Sequence, residues 1–203
     1  MVMKLYGDAQ SGNCYKVQLL LSYLQKSYDW IAIDILAGDT QTNDFLALNP
    51  NGKIPLLELE NNQCLAESNA ILNYLADDTP LLPSDAWDRA QVLSWQFFEQ
   101  YSHEPNIAVA RFINKYLGLP DERLDEYNSK QTGGHKALSV METQLQQSNY
   151  ICGDTMTIAD ISLYAYTHVA DEGGFDLTNY PALNRWLDEV AAQPNHIPMQ
   201  THG

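Results

Sequence analysis

Asn49-Pro50-Asn51-Gly52-Lys53-Ile54-Pro55-Leu56-Leu57-Glu58-Leu59-Glu60-Asn61-Asn62-Gln63-Cys64-Leu65-Ala66-Glu67-Ser68 is the stretch on which the reading of this 203-residue chain turns. Asn51-Gly52 is a turn dipeptide. Ile54 to Leu59 and Gln63 to Leu65 are short apolar runs, and Asn61-Asn62 marks the bend of a hairpin between them. Ile71, Leu72 and Leu75 then recur at helical spacing, which makes Ser68 the candidate N-cap of a helix. Pro55 cannot donate to a sheet ladder, so it belongs on an edge or in a special turn. An X-Pro bond also admits the cis form, because the tertiary amide narrows the preference for trans.

Upstream, residues 2–6 fit a first strand, and Ser11-Gly12-Asn13 is a loop before a helix with Val17, Leu20, Leu21 and Leu24 on one face. Trp30 to Ile35 alternates as a second strand, and Asp44 to Leu48 suits a short helix. The order βαβ-α-ββα is a thioredoxin-like arrangement, with a right-handed crossover expected between the parallel strands. Residues 79–86 carry two prolines and the capping residues Ser84 and Asp85, and read as a linker. The expected domains are therefore α/β, residues 1–78, and all-α, a helical bundle over residues 87–203.

In the second domain Trp87, Ala90, Leu93 and Phe97 share a helical face that Phe98 and Tyr101 widen, until Pro105 kinks or ends the helix. Leu124, Tyr127, Leu138, Met141 and Leu145 suggest another long helix, in which Gly133-Gly134 admits a break. Thr157-Ile158-Ala159-Asp160 is a capping box with Asp in place of Glu, and it opens a helix apolar on most sides, read as the centre of this domain. Asp160 is read as structural, its carboxylate serving the first-turn N–H groups. A last helix follows Pro181, and the tail from Pro194 is expected to be loose.

Composition excludes several functions. Lys and Arg number 11 against 26 Asp and Glu, a net charge of −15 that repels phosphate backbones and speaks against nucleic acid. Cys14, Cys64 and Cys152 are odd in number and far apart, as suits a reducing compartment, and none lies in a Cys-x-x-Cys. The five histidines show no metal-ligand spacing, so no metal is expected. No apolar run reaches the roughly 20 residues of a membrane span, nor does the start resemble a secretory leader. A cytoplasmic protein without a membrane partner is the expectation.

Asn-Pro-x-Gly-Lys-Ile-Pro with Glu67-Ser68 twelve residues after Pro55 closely resembles the glutathione-binding half of cytosolic glutathione transferases. In that family the proline is cis and shapes the glutathione site. The first loop, Ser11-Gly12-Asn13-Cys14-Tyr15-Lys16-Val17, resembles the Ser-x-x-Cys-Arg segment of the serine-type theta and delta classes, and the Thr157–Asp160 motif matches the family's folding element. Read by itself, Ser11 is a helix cap. The resemblance makes it the catalytic residue, a hydroxyl that hydrogen-bonds the glutathione thiolate at a helix N-terminus and lowers its pKa. The loop is also similar to the Thr-Pro-Asn-Gly-His-Lys-Val of bacterial nu-class disulfide-reducing relatives, which implies Asn13 as a second sulfur contact. Lys16, in place of arginine at a neighbouring position, is read as a minor departure. Cys14 occupies a region where omega- and beta-class relatives use a cysteine, but it precedes an apolar face and reads as a buried thiol.

The resemblance further implies that Glu67 pairs with the γ-glutamyl amine, and that Ser68 with its helix start takes the γ-glutamyl carboxylate. Backbone groups of Ile54, before Pro55, hold the cysteinyl unit like an added strand, and Lys53 meets the glycine carboxylate. Taken singly, Glu67 and Lys53 are solvated charges, Ser68 a cap and Ile54 core. Tyr101, Arg111, Phe112 and Tyr164 are the candidates for an electrophile site between the domains. The implied protein is a cytoplasmic homodimeric glutathione transferase, with glutathione as co-substrate and a small electrophile as acceptor. A glutathione-dependent disulfide reductase and a non-catalytic interaction module on the same fold are the alternatives. A maleyl isomerase is disfavoured because the Ser-Ser-Cys of that class is absent.

Overall fold

Five residues at the start, Met3–Gly7, form strand β1, and everything around it is placed by what pairs with it. The computed structural model describes residues 2–199. It divides into two compact units: Met1–Asp77 with the segment from Pro194, and Asp78–Gln193. In the first unit β1 is followed by α1 (Gly12–Tyr23), β2 (Tyr28–Ala32), α2 (Asn43–Leu48), β3 (Leu56–Glu58), β4 (Cys64–Ala66) and α3 (Ser68–Ala76). The sheet order is β2-β1-β3-β4, with β1 parallel to β2 and antiparallel to β3, and β3 antiparallel to β4. This is a thioredoxin-like sheet, and its core is apolar: Leu5, Val17, Leu20, Leu57, Ile71 and Leu72 are all buried.

The second strand lies earlier than the alternation of Ile31, Ile33 and Ile35 implies. Pairing runs from Met3↔Tyr28 to Gly7↔Ala32, so β1 ends at Gly7 and offers nothing for Ile35 to pair with. Instead Asp34 accepts from the N–H groups of Leu36 and Ala37, both at 2.9 Å, and turns the chain away. The tail also differs from the expectation. Asn195 accepts from the Ser22 hydroxyl at 2.7 Å and Ile197 from the Tyr15 hydroxyl at 2.7 Å, so the segment 194–199 is tied to α1 and groups with this unit, not with the helical residues before it.

The second unit is helical: α4 (Ala86–Phe98), α5 (Glu104–Arg111), α6 (Leu124–Leu145), α7 (Ile158–Thr167) and α8 (Pro181–Ala191). Every residue of α7 is buried. Its capping box is complete, and the fully buried Asp160 also accepts from Ile151 N–H at 2.8 Å and from the Trp186 indole at 2.9 Å, which binds α8 to the start of α7. Pro105 does not end the helical path. A wide five-residue turn, Glu99–His103, precedes it, and Pro105 falls in the first turn of α5.

Gly133 and Gly134 do not break α6, which runs 22 residues without interruption. They are there for contact. A methyl group on Gly133 would collide with Asn106, and one on Gly134 with the Phe175 ring and Ile107, so the glycines let α5 approach α6 closely. Two effects therefore oppose each other in Gly134→Ala. Helix propensity favours alanine by about 1 kcal/mol, while overpacking costs typically about 1–3 kcal/mol. Packing should win. Urea unfolding of Gly134→Ala is expected to show a net loss of stability, and a gain would mean that the α5–α6 contact is looser than described.

Candidate functional site

Sheet register brings three loops to one end of the first unit. Tyr6 pairs with Leu56 and Leu56 with Ala66, so the exit from β1, the entry to β3 and the exit from β4 lie side by side. Those loops carry Ser11 to Asn13, Lys53 to Pro55, and Glu67 to Ser68 respectively. Seven of the residues singled out in the sequence thus come from one sheet end.

The loop after β1 is built by Asp8 and Ser11. Asp8 accepts from Gln10 N–H at 2.8 Å through its side chain and from Ser11 N–H at 3.1 Å through its carbonyl. Ser11 is the N-cap of α1, with extended backbone (φ −78°, ψ 119°), and its Oγ accepts from Cys14 N–H at 3.4 Å. Cap and donor are compatible roles. The oxygen accepts from the helix through a lone pair, and the hydroxyl proton stays available for an anion at the same helix start.

The loop before β3 is braced by a residue that the sequence reading did not single out. Asn49, which is buried, donates from Nδ2 to Lys53 O at 2.7 Å, while its Oδ1 accepts from Asn51 N–H at 3.1 Å and its carbonyl from Gly52 N–H at 2.9 Å. Gly52 has φ +60° and lies close against Gln41 and Thr40, two reasons for having no side chain. This bracing delivers an exposed Lys53, a half-buried Ile54 and a buried Pro55, joined by a cis Ile54–Pro55 bond. The signal for Asn49 lay in its turn-forming Asn-Pro-Asn-Gly spelling, but its partner Lys53 O is a matter of the folded loop.

After β4, Glu67 rather than Ser68 holds the N-cap position of α3, and Ser68 is the first helical residue. Glu67 is exposed with φ +68° and ψ 112°, a conformation that costs a side-chain-bearing residue on the order of 1–3 kcal/mol. The Glu67 side chain makes no capping hydrogen bond to this helix. An exposed carboxylate held in a costly conformation beside a helix start fits the recognition of an amine with a carboxylate next to it.

The two helix starts are joined directly. Asn13 Oδ1 accepts from Lys16 Nζ at 2.7 Å and from the Ser68 hydroxyl at 3.3 Å, and Lys16 Nζ also lies 3.5 Å from Ser68 Oγ. Lys16 is completely buried. The exchange read as minor in the sequence is thus part of the centre of the site; the one charged residue of α1 among mostly apolar neighbours was the available signal.

Cys14 is buried against Gly7, where an added methyl would meet its sulfur. Burial pushes its thiol up to about 12, against the hydrogen bonds from Ser11 and the Asp8 backbone that favour the thiolate. It is no nucleophile near neutral pH.

In the second unit the four electrophile candidates separate. Arg111 and Tyr164 are buried and belong to the helical core. Arg111 Nε and Lys115 Nζ both donate to the Glu172 carboxylate at 2.5 Å, and although burial alone would raise that carboxyl, these two bonds hold it below its ordinary value. Tyr164 stacks on His168 at 4.6 Å, and burial pushes its phenol up to about 12. Tyr101 is exposed, and the half-buried Phe112 stacks on Tyr116 at 5.7 Å. Among the described residues no group of three or more His, Cys, Asp or Glu stands together to hold a metal, and no helix is long and apolar enough to cross a membrane.

Residues 1–77 match the family model described as glutathione S-transferase, N-terminal domain, and residues 101–194 that of the C-terminal domain. The chain is 31% identical to glutathione S-transferase 3 of Zea mays over 204 residues, covering 95% of this chain and 90% of the relative. A crystal structure of a glutathione S-transferase from Pseudomonas fluorescens Pf-5 is 60% identical, with a TM-score of 0.98 over 99% of this chain and 100% of that one. Another Pseudomonas fluorescens structure, of a glutathione transferase family member with two glutathione bound, is 27% identical, with a TM-score of 0.83 over 96% and 90% of the two chains.

The cysteines give a direct check on the local chemistry. Cys64 is exposed, Cys152 half-buried and Cys14 buried, and burial also holds the Cys152 thiol at about 12. At pH 8, iodoacetamide on the folded protein is expected to modify Cys64 first and leave Cys14 unmodified, as read by peptide mass. Early labelling of Cys14 would contradict its placement.

Proposed function

Because the chain belongs to the glutathione S-transferase family, we propose that it binds glutathione where α1 and α3 begin and joins the tripeptide through its sulfur to electrophilic carbon. The hydrogen bond from Ser68 to Asn13 carries this reading, since it holds the proposed sulfur end and the proposed γ-glutamyl end of one site together at 3.3 Å. The family member with glutathione bound supports the choice of ligand.

In this reading Ser11 donates its hydroxyl proton to the glutathione thiolate, with Asn13 as second donor. The thiol proton goes to solvent. The thiolate then forms a carbon–sulfur bond as the leaving group departs with the electron pair of the broken bond, or adds to an activated double bond that afterwards takes up a proton. Glu67 pairs with the γ-glutamyl amine, and the backbone N–H groups of Ser68 and the residues after it take the carboxylate beside it, while the Ser68 hydroxyl proton goes to Asn13. Ile54 bonds the cysteinyl backbone, Pro55 shapes the turn that presents it, and the exposed Lys53 meets the glycine carboxylate.

The working unit in this proposal is a cytoplasmic homodimer. Leu93, Phe97 and Tyr101 follow one another at intervals of four residues and are 37%, 60% and 83% exposed, an apolar stripe suited to a second copy of the chain. The residues of α4 that are buried are Val92 and Gln96, on another side of the helix. Reduction of disulfides with glutathione is the second reading, favoured by the tight hold on Asn13, which serves thiolate chemistry of either kind.

Ultraviolet absorbance of bound glutathione against pH tests the assignment of Ser11. Wild type is expected to hold the thiolate below pH 7. Ser11→Ala should lose it there, with kcat/KM for conjugation falling roughly 100-fold, the loss typical of removing one preorganised donor. Equal titration of both proteins would move the thiolate partner away from Ser11.

A further inference from the structure

A completely buried lysine is expensive, because an ammonium loses its hydration there unless its surroundings are built to hold it. Lys16 is such a residue, and its partners include Asn13 Oδ1 at 2.7 Å and Ser68 Oγ at 3.5 Å. Ser68 Oγ donates to the same Asn13 oxygen at 3.3 Å. The titratable groups that bear on this corner are Cys14, whose thiol feels both the Lys16 and the Asp8 charges, and the exposed Glu67 at the start of α3.

An asparagine carboxamide has an accepting end and a donating end that exchange places on a half-turn of the side chain. Here two donors converge on the oxygen, one of them charged, so the orientation is fixed: Oδ1 toward Lys16 and Ser68, with Nδ2 as the donating end. A sulfur anion needs donors, and a flipped carboxamide would present it with a repelling oxygen. Lys16 has no surface of its own for a ligand to touch. Its hydrogen bonds to Asn13 and Ser68 link it to the site.

We propose that Lys16 is a positioning residue of the glutathione site: by holding the Asn13 oxygen it sets the Asn13 amide as a donor to the glutathione sulfur. The proposal rests on the reading that glutathione binds at the starts of α1 and α3. It also explains why a cation is kept at a position that every neighbour in α1 from Cys14 to Val17 shares in being buried.

The test is the pH titration of bound glutathione thiolate, by ultraviolet absorbance, in wild type, Lys16→Met, Lys16→Arg, Asn13→Asp, Asn13→Ala and the Lys16→Met/Asn13→Ala double variant. Lys16→Met, which keeps the stem and removes the charge, is expected to raise the titration midpoint by about one pH unit. Lys16→Arg restores most of the wild-type value. In the Asn13→Ala background Lys16→Met should add no further shift, since it acts through that carboxamide. Asn13→Asp separates positioning from folding, because its carboxylate keeps an acceptor for Lys16 while removing the donor to sulfur. Its thermal stability should match wild type while its midpoint rises. Should Lys16→Met fail to fold, Asn13→Asp decides: a wild-type midpoint there overturns the proposal. An unshifted Lys16→Met midpoint, or one that adds fully to Asn13→Ala, overturns it while leaving glutathione binding intact. Wild type that binds no glutathione by calorimetry would remove the site reading and this proposal together.

Discussion

One carboxamide oxygen joins the two helix starts on which the site depends. Asn13 Oδ1, two residues into α1, accepts from a buried lysine of its own helix and from the first residue of α3. Helix N-termini repel one another through their positive ends, and anchoring two of them side by side around a buried ammonium runs against simple electrostatics. The arrangement becomes favourable when an anion occupies the space they face. A ligand with a carboxylate at one end and a thiolate nearby answers that need, and glutathione has both.

The sheet supplies the precision. Because β1, β3 and β4 are short and their pairing is fixed residue by residue, the loops that leave them cannot slide relative to one another. Asn49 then sets the height of Lys53 through one side-chain bond at each end of the turn, and the strained Glu67 conformation aims an exposed carboxylate from the cap of α3. In the second unit the same logic is applied to folding. Asp160 gathers the start of α7, Ile151 and the Trp186 indole on one carboxylate.

Much of this was legible because it is local. The hairpin of residues 54–65, the loop before α1 and the Thr157–Asp160 capping box are each written in a few adjacent residues, and each appears in the structure near its expected place. What escaped was set by residues far apart in the chain. Lys16 looked like a small departure because its partner Ser68 is 52 positions away. Gly133-Gly134 left room for a break because propensity says nothing of the Phe175 ring that fills the space a side chain would need. The tail looked loose because Tyr15 and Ser22 lie at the other end of the chain. Arg111 and Tyr164 looked available for a substrate, yet their polar and aromatic partners, Glu172 and His168, absorb them into the helical core.

A crystal structure of the protein soaked with glutathione tests the central claim most directly. The account expects the γ-glutamyl carboxylate against Ser68 and the first N–H groups of α3, the amine against Glu67, and the sulfur within hydrogen-bond reach of Ser11 Oγ and Asn13 Nδ2. Glutathione bound elsewhere on the first unit, or bound here with its sulfur directed away from the start of α1, would contradict it.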